Sequence, residues 1–132
     1  MTYSPEQRRT LLAVARERIE EKLFSRPSPT WTRAKDDPAF AAKRGVFVTL
    51  KKEGDLRGCI GTVAAERPLG EAVRAMAIQS AFFDPRFYPL EAEELPLVTI
   101  EISVLTPPAP VTGWRDIVIG RDGIILSCRG RQ

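Results

Sequence analysis

A chain of 132 residues is the length of one domain, and 43% hydrophobic with 28% charged residues is enough interior for a core without disulfide staples. The net charge is only +3, and Arg8, Arg9, Arg16 and Arg18 alternate with Glu6, Glu17, Glu20 and Glu21, the pattern of a solvated helix face, so nucleic acid is not an expected partner. Histidine is absent, which excludes Ser-His-Asp and Cys-His catalysis from one chain and leaves carboxylate, lysine, tyrosine or thiolate as general base.

The polar start Met1 to Gln7 carries no signal peptide, and no apolar run is long enough to span a bilayer, so the cytoplasm is the default location. Ser4-Pro5-Glu6-Gln7 opens a helix with Ser4 as cap, Pro5 in the first turn and Gln7 closing a capping box. Leu11, Leu12, Ala15, Ile19 and Leu23 then form its apolar stripe. Between Ser25 and Arg44 three prolines break the pattern into a loop with one helical turn, pinned to the body by Trp31 and Phe40.

Gly45 to Leu50 is rich in strand formers and pairs with Leu56 to Thr62 as a β-hairpin. A three-residue loop, Lys52-Glu53-Gly54, places Gly54 in the left-handed region. In that register Val46, Val48 and Leu50 share a face with Leu56, Gly58 and Ile60, and Phe47 and Thr49 oppose Cys59 and Arg57. Pro68 to Phe83 is a second helix with a stripe of small residues from Leu69 to Ser80, ended by Asp84-Pro85. Glu91 to Leu95 forms a further turn. Val98, Ile100, Ile102 and Val104 alternate with Thr99, Glu101 and Ser103, a strand with one buried face. Ile117 to Ile119 and Ile124 to Cys128 flank Gly120-Arg121-Asp122-Gly123 as a second hairpin. The sum is a single α+β domain of antiparallel hairpins and two main helices.

The chemistry concentrates in Leu56 to Thr62. On an extended strand Arg57 and Cys59 point the same way, and a guanidinium beside a thiol favours the reactive thiolate. Gly58 and Gly61 let a ligand or another backbone approach closely. The alternative is a cysteine packed where only a small residue fits, with the glycines marking a bulge or close helix packing. Asp84 and Arg86 either bind a substrate anion or pair with each other to fix the turn. Glu101, mid-strand, needs Arg57 or Arg86 as partner if its face is covered, and means little if the face is wet. Cys59 and Cys128 form no close pair or metal cluster, so no metal site and no cofactor is assigned.

Leu56-Arg57-Gly58-Cys59-Ile60-Gly61-Thr62, preceded by Val46 to Leu50, resembles the hallmark of the AMMECR domain family. Pro68-Leu69, Asp84-Pro85-Arg86-Phe87, Glu94-Leu95-Pro96 and Glu101 to Pro107 follow in the same order. The resemblance implies two intimately packed lobes and a cleft lined by the motif. It carries over Arg57, Cys59, Asp84, Arg86 and Glu101; with the two strand glycines added, Cys59, Glu101 and Asp84 are the catalytic candidates and Arg57, Gly58, Gly61 and Arg86 the substrate-binding ones. The family's activity is not established; the Arg57-Cys59 spacing, with Arg86, points to an enzyme or enzyme component acting on a small anionic molecule. The alternative is an adaptor for Memo-like and radical-SAM proteins, the partners with which microbial members are associated. Two departures stand out. Asp122 occupies a position where many relatives carry histidine, and the family domain continues past Gln132, which implies a fragment or a shortened homologue.

Overall fold

The computed structural model describes residues 3–106. The expected second hairpin at 117–128, with Trp114, Asp122 and Cys128, lies outside these residues. Helix α1 spans Pro5–Phe24 and begins as its sequence dictates: the Ser4 hydroxyl accepts the Gln7 N–H, and the Gln7 side chain accepts the Ser4 N–H in return. It ends at Ser25, which adopts a left-handed conformation. Its buried face is Leu11, Val14, Ala15 and Ile19. Leu12, expected in that stripe, is exposed, because it lies one residue off the line that Leu11, Ala15 and Ile19 set.

The charged face of α1 is less solvated than its composition implies. Arg16 donates to the Leu95 and Val98 carbonyls, and Glu17 accepts the Thr30 N–H. These contacts tie α1 to the strand that begins at Val98 and to helix α2, Pro29–Ala34, which occupies part of the expected loop. Phe40, in a short 3-10 turn, is buried, and the half-buried Trp31 packs against the same core.

Three antiparallel strands form one sheet in the order β2-β1-β3: β1 Gly45–Lys52, β2 Asp55–Thr62 and β3 Val98–Leu105. Helix α3, Leu69–Phe82, packs on β1 and β2 and against α1, which also touches β3. Val46, Val48 and Leu50 of the central strand are fully buried with Leu69, Val73 and Ala77 of α3 and Ile19 of α1. The fold is α+β. Among the described residues no helix is long and apolar enough to cross a membrane.

The β1–β2 connection differs from expectation in a way that shapes the site. The turn has two residues, Glu53 and Gly54, both at positive φ, the geometry that follows strand twist best. The register then shifts: Lys51 pairs with Leu56 but Leu50 pairs with Gly58, so Arg57 is the extra residue of a β-bulge. Beyond the bulge Thr49 lies opposite Cys59 and Val48 opposite Ile60. The expected sharing of faces therefore survives beyond the bulge, although the turn that should have produced it does not exist.

Candidate functional site

Strand β2 is held to the body by side chains of the segment that follows it. Gly58 sits where α3 crosses: a Cβ there would run into the Ser80 carbonyl oxygen. This closeness lets the Ser80 hydroxyl accept the Ile60 N–H at 2.9 Å and donate to the Val48 carbonyl at 2.7 Å, bridging the two strands. A Cβ at Gly61 would meet the Phe47 ring and backbone and the Val46 carbonyl, so that glycine also serves packing.

Asp84 ends up buried, directly behind β2. Its Oδ2 accepts the Cys59 N–H at 3.0 Å, and its carboxylate takes the Arg86 guanidinium through Nε at 3.0 Å and Nη2 at 2.7 Å. Arg86 Nη2 also donates to the Cys59 carbonyl at 3.3 Å. The two side chains clamp both polar backbone groups of Cys59, as a neighbouring strand would. The Arg86 hydrogen bonds, helped by the Cys59 N–H, hold the Asp84 carboxyl far below the usual carboxylate range against the opposing effect of burial. Asp84 and Arg86 pair with each other, the arrangement that fixes the turn.

Arg57 is built as a counterpart. Its bulge turns the side chain toward a 3-10 helix, Ala92–Leu97, where Nε and Nη2 meet the two Glu94 oxygens at 2.9 and 3.0 Å. Nη2 also donates to the Tyr88 carbonyl at 2.8 Å. Lys52 reaches the same carboxylate at 3.3 Å, and the Glu91 N–H donates to it at 2.9 Å. With the Arg57 hydrogen bond as the chief cause, Glu94 is lowered to about 2. The two guanidiniums lie over the Phe87 ring, Arg57 at 5.8 Å and Arg86 at 5.4 Å from its centre.

Around these groups opens a cleft of about 450 Å³, lined by Lys52, Arg57, Arg86, Phe87, Tyr88, Pro89, Glu91 and Glu94. Of the residues singled out in the sequence, Arg57 and Arg86 line it. Cys59 does not: its Sγ lies 3.2 Å from Thr49 Oγ1, on the other strand of the hairpin. The Arg57 guanidinium, expected beside that sulfur, is committed to Glu94 and Tyr88 instead. Glu101 pairs with Lys51 at 3.3 Å, more than half exposed, rather than with Arg57 or Arg86. Its face is wet, and the acid stands outside the cleft. Glu94, Lys52, Phe87 and Tyr88 carried no role in the sequence; the available signal was that a half-buried arginine requires a carboxylate. Among the described residues no group of three or more His, Cys, Asp and Glu side chains is placed to hold a metal ion.

A second depression, of about 620 Å³, lies between α1 and α2. There the Glu21 carboxylate accepts from Ser28 at 2.7 Å and from Arg74 Nη2 at 3.0 Å, while Arg74 Nε is buried without a hydrogen-bond partner among the described residues.

Comparison with known proteins places the chain. The AMMECR1 family model matches residues 12–132. A protein of Methanothermobacter thermautotrophicus is 43% identical over 96% of this chain and 70% of its own length. One of Thermococcus gammatolerans is 41% identical over 88% of this chain and 61% of its own. The crystal structure of the uncharacterized protein PH0010 from Pyrococcus horikoshii superimposes with a TM-score of 0.76 at 39% identity, covering 89% of this chain and 63% of that one. The chain thus spans roughly two thirds of the length of the relatives it matches, and it belongs to the AMMECR1 family.

Proposed function

We propose that the domain binds a small anionic molecule in the cleft between β2 and the segment 84–94. The observation that carries this reading is the pair of arginines on Phe87. Each uses its Nε/Nη2 edge to grip a carboxylate, Glu94 or Asp84, and each turns Nη2 onto a backbone carbonyl. Among the described residues Arg57 Nη1 is buried without a hydrogen-bond partner, and Arg86 Nη1 has none either, its side chain being 54% exposed. An unmatched buried donor costs about 1–3 kcal/mol. An anion brought into the cleft would meet the exposed Arg86 and the partly exposed Lys52 first, with the positive charge of Arg57 behind them.

Cys59 and Asp84 enter this reading as the clamp that positions Arg86, and Glu101 stays out of it. Titrating acetate and phosphate while following backbone amides tests the proposal. Shifts should gather at 52–60 and 84–94 and shrink in Lys52→Gln and in Arg86→Gln. Shifts scattered over the surface, or unchanged in both variants, would refute it.

A second reading, a docking role, is supported by Leu56, Phe83, Tyr88 and Leu97, large apolar side chains that are exposed in the segments framing the cleft. Family resemblance makes Memo-like and radical-SAM proteins the partners to try. A purified Memo-like protein should bind the wild type and lose affinity for Leu56→Asp and Phe83→Asp; equal binding to all three removes this reading.

A further inference from the structure

Building on the anion-binding reading, we infer that the ligand of this cleft is a monoanion with a flat apolar body, in its simplest form an aromatic carboxylic acid, and not a polyphosphate. The first support is charge. Lys52, Arg57 and Arg86 face Glu91 and Glu94 in the lining, which leaves one net positive charge. Asp84, paired to Arg86 from behind, offsets that charge in turn. A single negative charge is the most that the outward donors of Arg86 and Lys52 can hold; a second or third would meet Glu91 and Glu94 with no further cation among the described residues of the lining.

The second support is shape. Tyr88 is 90% exposed and Pro89 beside it is also exposed, so a phenol ring and a proline ring stand free on the lip next to Arg86. Large apolar side chains left in water at a cleft mark contact surface. Aromatic rings stack on such surfaces with a gain beyond plain burial. A carboxylate oxygen can accept from Arg86 Nη1, which has no partner among the described residues. One ligand that satisfies both features carries its carboxylate toward Arg86 and Lys52 and its ring against Tyr88.

The test is a chemical-shift titration of the full chain with acetate, benzoate, inorganic phosphate and benzyl alcohol. Benzoate is expected to bind about tenfold tighter than acetate. Phosphate should bind no tighter than acetate, and benzyl alcohol more weakly than benzoate. Tyr88→Ala, at a side chain too exposed to matter for folding, should bring benzoate down to the level of acetate. Equal affinities for acetate and benzoate overturn the inference while the anion cleft stands, and so does a benzoate preference that survives Tyr88→Ala. Phosphate binding tighter than benzoate does the same. Benzyl alcohol matching benzoate removes the charge requirement, and failure of all three anions to bind brings down the underlying reading as well.

Discussion

The two outer strands of the sheet hold their carboxylate partners in opposite ways. Beside β2, Asp84 is buried and takes hydrogen bonds from the Cys59 N–H and the Arg86 guanidinium, and Glu94 collects Arg57, Lys52 and the Glu91 N–H. On β3, Glu101 meets a single lysine across a solvent-exposed face. An ion pair in water contributes a few tenths of a kcal/mol, because solvent screens it and two long side chains must be ordered to form it. Charges that also hold backbone polar groups contribute more, since losing one leaves the others without partners. The contrast marks the β2 edge, and not the Glu101 face of β3, as the place where carboxylates hold backbone polar groups.

Five changes sharpen or break that contrast. The largest effect is expected from Gly58→Ala, which should cost about 3 kcal/mol in denaturant unfolding, because β2 must retreat from the α3 backbone and the Ser80 bridge opens. Asp84→Ala comes next, at about 2–3 kcal/mol, by freeing Arg86 and leaving the Cys59 N–H without its acceptor. Ser80→Ala should cost about 1–2 kcal/mol through the Ile60 N–H and Val48 carbonyl it abandons.

The fourth change concerns acid. Asp84 and Glu94 have folded-state values below their ordinary ones, so their contributions are complete above the unfolded values and decline as pH falls toward the folded ones. For Glu94 the window runs from 4.5 down to about 2. Thermal melts of Glu94→Gln across that window should fall less steeply with acid than those of the wild type. An identical slope would mean that the Arg57–Glu94 pair adds no stability. The smallest effect belongs to Glu101→Gln, about 0.5 kcal/mol or less. A cost approaching that of Asp84→Ala would erase the difference between the two sides.

Much of the frame was legible in the sequence because its signals are local. The Ser4–Gln7 box, the alternation from Val98 to Val104 and the Asp84-Pro85 stop each depend on a few neighbouring residues, and each recurs in the structure. The hairpin turn departs from expectation because a two-residue loop in an unbroken ladder would mix the apolar and polar sets of the two strands, which favours the longer loop until the register shift is seen. The bulge that compensates leaves no local mark at Arg57. It is stabilised by Glu94, 37 residues away, and alternation along a strand says nothing of a partner at that distance. Cys59 drew attention as a thiol, yet its tightest structural role runs through its N–H and carbonyl, groups that every residue other than proline has. Ser80 reads as one more small residue in an apolar stripe, and only the crossing at Gly58 gives its hydroxyl a task.

In the proposed function the 56–62 motif serves by placing Arg57 and, through the Cys59 backbone, Arg86 at the cleft, and not through its sulfur. Benzoate affinity compared between Cys59→Ser and Arg86→Gln tests it most directly, with amide spectra confirming that both variants are folded. Cys59→Ser, which keeps the clamped backbone, should bind as the wild type does, and Arg86→Gln at least about tenfold more weakly. Loss of binding in Cys59→Ser with full affinity in Arg86→Gln would contradict the account.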